Sequence, residues 1–456
     1  MSVPRLVVSG LATGPALALA AGSLVACGAQ ENAVRSVTLG IDVPLYRLLS
    51  RVSERAPRML DPVLLDDGVS AELIDVWSDS CELLVVVAVE PALDRWRETA
   101  GSRAVDVCLR LDAPLVLVVD ARDNSPTAAA AACGLCALAP EVELAGVIIV
   151  GGDEHGAGAE LGAMISERAE LDVLGWIPAH LSEPFAAALG AGGAATAGSE
   201  PTGLPDPAAL CQEAARHLRR DALVAAASRR GFVPRAPRRL LAPSPDASGL
   251  SLAVAWGPPL EPFAVEGLDL LRAMGVTLAP VHIGRDRALP PRVDGLLLAG
   301  LLREDDLPVF TANTDLKSAL CAAIEGGLPT LAFAGGALLL LRRLVDSRGR
   351  CHDLAGVWSA EAEVLDWYQR PRYVRAAAAR ANPYDEGDGE LYELFDLEFL
   401  TLQQEAFAYR LGDDGVQAEG FVRGRLLATT LIPSLPARRR LAASFVSAMG
   451  GARATR

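Results

Sequence analysis

The sequence predicts an α/β protein built as two doubly wound domains, and three observations carry that expectation. Near-continuous apolar runs alternate with helical patterns through the first half. The same alternation restarts near residue 252, after a proline- and arginine-rich stretch, and in each half a glycine turn follows a strand. With 456 residues the chain has room for two or three cores, and about half of it is apolar, so it is expected to fold.

The first element is read as a strand at 6–9, a glycine loop and a helix. A rival reading exists, because Arg5 precedes an apolar stretch and Leu24-Val25-Ala26-Cys27 has the form of a lipoprotein cleavage site. Gly10, Gly14 and Pro15 interrupt that stretch where a loop would fall, which favours strand–loop–helix and a cytoplasmic protein. The alternative is an exported lipoprotein lipidated on Cys27. No other stretch is apolar and long enough to span a bilayer, so no membrane is expected as a partner.

Further buried strands are expected at 83–89, 114–119, 144–150 and 173–177, the pattern of a parallel sheet covered on both faces. The segment 190–207, rich in Gly, Ala, Ser and Pro, reads as a surface loop. Residues 228–249 read as a linker, with Pro234, Pro237, Pro243 and Pro245 and five arginines from Arg229 to Arg239. The expected organisation is a first domain over 1–227, the linker, and a second domain over 250–456. In the second domain strands are expected at 252–255, 276–281, 295–298 and 329–333, with helices at 262–274 and 313–325 and one beginning at Gly336. From Glu361 onward, shorter alternating segments suggest antiparallel strands, 384–390 an acidic solvated loop, and 438–449 a last helix.

Charge and cysteine content exclude some functions. A formal charge of −15, from 42 basic and 57 acidic residues, argues against nucleic acid as a partner. Basic residues are nearly all arginine, and Lys317 is the sole lysine. Eight cysteines do not suggest a disulfide framework. Cys133 and Cys136 stand one helical turn apart, the spacing of a redox pair or half a zinc site. No second CxxC or suitably spaced histidine completes it, so they read as small buried residues and no metal is expected.

The first glycine turn is Gly10-Leu11-Ala12-Thr13-Gly14-Pro15-Ala16-Leu17-Ala18. A working phosphate loop, GxxxxGK[ST], needs backbone N–H groups around the phosphates, a lysine on the β/γ charge and a hydroxyl on magnesium. Gly10 and Gly14 are present, but the lysine position is Leu17 and the hydroxyl position Ala18. The second turn, Leu331-Ala332-Phe333-Ala334-Gly335-Gly336, has the form of a nucleophile elbow. Gly335 and Gly336 make room for the turn, and the nucleophile position is Ala334, which has no lone pair. After it the only histidine is His352, expected in a surface turn.

These sites and the order of the segments resemble the cobyrinic acid a,c-diamide synthase family. The stretches that carry the resemblance are Leu39-Gly40-Ile41-Asp42 with Pro44 and Tyr46, Arg58-Met59-Leu60-Asp61-Pro62, residues 113–121 and 144–148. In the second half they are Leu268-Asp269-Leu270-Leu271, residues 285–290, Val293-Asp294-Gly295-Leu296, and Glu419-Gly420-Phe421-Val422-Arg423-Gly424. The resemblance implies an N-terminal P-loop NTPase-like domain of the amide-ligase type and a C-terminal class I glutamine amidotransferase-like domain. In that family glutamine is hydrolysed at a cysteine, and the ammonia amidates corrinoid acetate groups that ATP has phosphorylated.

Carried over by position, the resemblance records losses. The phosphate-loop lysine and threonine fall at Leu17 and Ala18, and the Walker-B-like acid and its glycine at Val87 and Ala88. The asparagine after the strand ending at Ile149 falls at Val150. The cysteine falls at Ala334, the histidine-containing tail at Leu431-Ile432-Pro433-Ser434, and the oxyanion turn at Ala299-Gly300-Leu301-Leu302. Polar positions that match are Asp42, Tyr46, Arg58, Asp61, Asp94 and Asp120, which are either remnants of a nucleotide or corrinoid cleft or strand-end caps and ion pairs. The expectation is a non-catalytic homologue without a cofactor, where active relatives use ATP and magnesium. It would act by holding a protein partner, as a homo-oligomer, or by binding a corrinoid or nucleotide. The alternative is a divergent, active ATP-dependent corrinoid amidase of cobalamin biosynthesis using free ammonia.

Overall fold

The computed structural model describes residues 3–29, 34–79, 81–95, 99, 101–123, 125–152, 155–194, 203–229, 242, 244, 247–402, 406–412, 415 and 417–454. The chain divides into two compact units, 1–194 with 201–237 and 195–200 with 238–456. Most of the proline- and arginine-rich stretch expected as a linker, 230–241 with 243, 245 and 246, lies outside the described residues, as do 195–202 of the expected loop.

Unit 1 is built on seven strands: β1 (Arg5–Gly10), β2 (Val34–Leu39), β3 (Arg58–Leu60), β4 (Leu83–Ala88), β5 (Leu115–Asp120), β6 (Leu144–Val150) and β7 (Val173–Ile177). They form one parallel sheet in the order β3-β2-β4-β1-β5-β6-β7. The apolar runs dictate this, since β1, β4, β5 and β6 are buried on both faces and a parallel sheet needs cover on both. That cover comes from α1 (Pro15–Ala29), α2 (Val43–Ser53), α3 (Asp67–Ser78), α4 (Ala104–Leu111), α5 (Ser125–Leu138), α6 (Ala157–Ala169), α7 (Ala179–Ala194), α8 (Pro207–Ala214) and α9 (Arg220–Ala227). Asp42, Asp66 and Asp206 start α2, α3 and α8 by accepting backbone N–H bonds. The β7 edge is closed by an isolated bridge from Leu218 to Gly175 and by Arg219 N donating to Leu174 O at 2.8 Å.

Unit 2 starts with β8 (Ser251–Trp256), β9 (Leu260–Glu261), α10 (Glu266–Met274), β10 (Thr277–His282), β11 (Gly295–Leu302), α11 (Leu307–Ala312), α12 (Thr314–Glu325), β12 (Thr330–Ala334) and α13 (Gly335–Leu338). A second group follows: β13 (Leu341–Val345), β14 (Cys351–Asp353), β15 (Trp358–Ala378), β16 (Asp388–Leu402), β17 (Tyr409–Leu411), β18 (Gln417–Glu419), β19 (Phe421–Arg423), β20 (Leu426–Thr429) and α14 (Arg439–Ala454). One sheet runs β10-β8-β11-β12-β20-β19, with β9 antiparallel to β11. The other runs β14-β13-β15-β17-β18, with β16 on β15.

Two expectations in unit 2 are corrected. The helix beginning at Gly336 is the single turn α13, because Arg342 and Arg343 are exposed between buried leucines in a strand that pairs β14 and β15. The short antiparallel segments expected after Glu361 are present from β17 onward, but two long strands, one of 21 residues and one of 15, precede them. Pro371 disguised the first of these. It lies at a register shift between Trp367 and Arg372, where its missing N–H is tolerated.

Candidate functional site

In unit 1 the carboxyl ends of the strands gather most of the expected residues on one edge of the sheet. Gly10 ends β1, Asp42 and Asp61 follow β2 and β3, Asp94 lies beyond β4, and Asp120 ends β5. In an open α/β sheet this is the edge where ligands bind. The glycine turn is held across the sheet: Leu11 N donates to Val118 O at 3.2 Å and Ala92 N to Gly10 O at 3.1 Å. A Cβ on Gly10 would sit 2.4 Å from Ala12 O, so the turn requires glycine there.

The turn does not fit a magnesium-bound triphosphate. Leu17 and Ala18 are 4% and 5% exposed and belong to the core of α1, so neither charge nor hydroxyl is offered. Pro15, the first residue of α1, also removes one N–H from the cradle. On β4 and β6, Val87, Ala88 and Val150 are buried apolar groups. The sole lysine is in unit 2, where Lys317 Nζ donates to Thr311 O at 2.8 Å.

The matching polar residues are occupied locally. Asp42 caps α2, accepting from Leu45 N at 2.9 Å. Asp61, 1% exposed, accepts from Val63 N at 2.7 Å and so closes the turn after β3. Asp120 holds Arg122 through two side-chain bonds of 3.0 and 2.6 Å. Arg58 Nη1 donates to Ala56 O at 3.1 Å, Tyr46 is buried in α2, and Asp94 stands exposed in a turn with its N–H on Pro91 O.

In unit 2 the elbow is present as backbone. Ala334 sits at φ 46°, ψ −120°, a region rare for a residue with a Cβ, and it is fully buried. A Cβ on Gly336 would come 2.0 Å from Leu298 O, and one on Gly335 would come 2.8 Å from Gly300 O. Both glycines are thus required by β11 passing beneath the turn. The expected histidine tail is apolar and buried at Leu431 and Ile432, and Ile432 exchanges backbone bonds of 2.9 and 3.1 Å with Tyr392. Beside the turn lies a cavity of about 80 Å³, lined by Trp256, Phe263, Gly300, Phe333, Ile432 and Pro433 among others, with no titratable side chain. Among the described residues, neither position 334 nor the cavity lining offers the nucleophile or the base that acyl transfer uses.

Three features of unit 2 were not visible in the sequence. His352 is not in a surface turn: it is 5% exposed in β14, with Nε2 2.9 Å from Asp346 Oδ2. The tight turn after Asp346, closed by Gly349 N on Asp346 O, folds the histidine back onto that carboxylate. Burial pushes the Asp346 carboxyl up, but the bonds from His352 and Arg350 and from the Arg350 and Arg348 amides outweigh it and hold it below the usual range. Glu419, buried under the tail, accepts from Thr429 Oγ1, Thr430 N and Thr430 Oγ1 at 2.6, 2.7 and 2.8 Å. Burial raises its pKa despite those bonds. Glu304 likewise takes Trp367 Nε1 at 3.0 Å and Ser347 Oγ at 2.5 Å.

No activated thiol replaces the missing one among the cysteines with a resolved shift. Burial raises the thiols of Cys27, Cys81, Cys108, Cys136, Cys211 and Cys321. Cys27 itself lies within α1, its Sγ 3.4 Å from Ala215 O. Among the described residues no group of three or more His, Cys, Asp or Glu is arranged to hold a metal ion, and no helix is long and apolar enough to cross a membrane.

Fold and sites define a class: an α/β protein carrying a phosphate-loop-type parallel sheet and a nucleophile-elbow sheet on one chain. Over nearly its whole length this chain is similar in sequence to cobyrinate a,c-diamide synthases. It is 23% identical to the enzyme of that name from Priestia megaterium, over 94% of this chain and 93% of the relative. It is 26% identical to the Streptococcus sanguinis enzyme over 75% and 74% of the two chains, and 25% identical to the hydrogenobyrinate a,c-diamide synthase of Pseudomonas aeruginosa over 79% of each. No family model matches the chain. Among solved structures, a glutamine amidotransferase aligns at TM-score 0.34 and 17% identity, covering 44% of this chain and 98% of its own. Chloroplast FtsY from Physcomitrella patens aligns at TM-score 0.30 and 14% identity, covering 47% of this chain and 66% of its own.

Proposed function

We propose that this chain is a non-catalytic homologue of cobyrinate a,c-diamide synthase that works by binding a protein partner or a small ligand. The observation that carries the reading is the elbow: its strained backbone and both glycines are kept, while position 334 offers a methyl group and, among the described residues, the adjoining cavity supplies no base. The turn after β1 supports it independently through Leu17, Ala18 and Pro15. Removal of one member of a catalytic triad costs several powers of ten in rate, and here two separate sites lack their essential groups.

A second reading is favoured by the similarity to a named synthase across 94% of the chain. On that reading the protein is a divergent corrinoid amidase of cobalamin biosynthesis that uses free ammonia and so bypasses the absent cysteine.

One experiment separates them. The purified chain is incubated with ATP, magnesium, ammonia and cobyrinic acid, and in parallel with glutamine alone. The first reading expects neither amidated corrinoid nor glutamate above the rate without protein. Amidated product with turnover would establish the second. Native mass spectrometry of the protein from its host then tests the binding role, and a solitary, ligand-free monomer counts against it.

A further inference from the structure

A cleft of about 540 Å³ lies at the β7 edge of unit 1, lined by His155, His180, His217, Arg216 and Arg219 around Trp176, with Pro178 and Leu218 completing its wall. That size falls within the range of small-molecule clefts, roughly 300–1,000 Å³. Three of the chain's five histidines meet here, although they are dispersed in sequence. The loop after β6 supplies His155, the start of α7 supplies His180, and the segment bridged onto β7 supplies the other three.

That segment is fixed rather than draped. Leu218 bridges Gly175, Arg219 N bonds Leu174 O at 2.8 Å, and the Arg219 guanidinium lies 4.9 Å over the Trp176 ring. Among the described residues, no carboxylate lines the cleft and neither Arg216 nor Arg219 forms an ion pair. A concave wall with two arginines and, among the described residues, no carboxylate, in a chain of formal charge −15, concentrates positive potential at one place, and three imidazoles add hydrogen-bonding groups around it. The bland alternative, a solvated basic turn, does not account for histidines brought from three segments around a rigid aromatic floor.

We propose that this cleft binds a small, multiply charged anion of oligophosphate or polycarboxylate chemistry. It is a different place from the glycine turn of β1, because β5 and β6 lie between β1 and β7, a separation of about 14 Å at about 4.8 Å per strand. The inference goes beyond the proposed function and holds whether or not the two emptied sites are silent.

The test is titration calorimetry of the full chain with sodium tripolyphosphate, with citrate, and with acetate as the singly charged control, all at constant ionic strength. One saturable site is expected for tripolyphosphate or citrate and none for acetate, and the stronger of the two names the anion class. The R216Q/R219Q variant should bind about tenfold or more weakly, since each charge-assisted bond lost is worth that order. Should that variant fail to fold by circular dichroism, H180Q/H217Q, which keeps both arginines, is expected to bind severalfold more weakly. No saturable binding of either polyanion, or unchanged affinity in the folded variant, overturns the proposal.

Discussion

Replacing Gly336 by alanine should destabilise unit 2 by about 2–3 kcal/mol, a value that follows from the contacts of the elbow. The new Cβ would lie 2.0 Å from Leu298 O and 2.3 Å from its carbonyl carbon. Ordinary contact needs well over 3 Å, so one backbone must move by more than an ångström. The strand that would have to yield is β11, which is paired to β8 and β12 on its two sides and cannot shift alone. Overpacking costs about 1–3 kcal/mol where side chains can yield, and against main chain paired on both sides it reaches about 3–4 kcal/mol. Alanine in a helical turn returns somewhat under about 1 kcal/mol. The net corresponds to a folded-to-unfolded ratio lowered by a factor of about 30 to 150. Urea unfolding with hydrogen exchange read by mass spectrometry assigns the loss, because β11 and β12 should lose protection while the strands of unit 1 keep theirs. Unchanged protection in β11 and β12 would show that the turn is loose, and the description of a retained elbow would be wrong.

Three further outcomes are expected. Asp42→Ala should cost unit 1 at least about 1 kcal/mol in urea denaturation, the worth of the α2 cap. No loss would contradict that assignment. Asp346 has a lowered pKa in the folded chain, so its contribution is present above the unfolded aspartate value and is lost as pH falls through and below about 4. Unfolding curves of Asp346→Asn should therefore be less pH-dependent than those of the native chain in that range, and parallel curves would refute the linkage. Glu419→Ala leaves three donors from Thr429 and Thr430 without their buried acceptor and should cost about 2–4 kcal/mol, read as early loss of exchange protection in β20.

The sequence made the apolar strands legible because burial on both faces writes itself as an unbroken run, as in β4, β5 and β6. It hid β2, whose Ser36 and Thr38 interrupt the run although both are buried, Thr38 Oγ1 reaching Arg58 O at 3.5 Å. Burial there is satisfied by a partner twenty residues away, which no local pattern records. The two turns were found because glycine spacing is a local property. The strain at Ala334 was legible only through the elbow pattern, and what enforces it, β11 passing beneath the turn, was not. His352 and the histidines around Trp176 were invisible for the same reason: their meaning comes from residues that only the fold brings near.

The two turns differ in how far each stands from the pattern of a working site. At position 334 the conformation is imposed from outside, by Gly335 and Gly336 pressed against β11, and owes nothing to the side chain that occupies it. Exchanging that one residue leaves the mould untouched, so the elbow lies a single substitution from carrying a different side chain in the same strained pose. The turn after β1 has no such memory. Leu17 and Ala18 are packed into the helix core, and a charge placed there would have to displace its neighbours before it could reach any ligand. One site is a single side chain from the catalytic pattern, and the other would need its surroundings rebuilt.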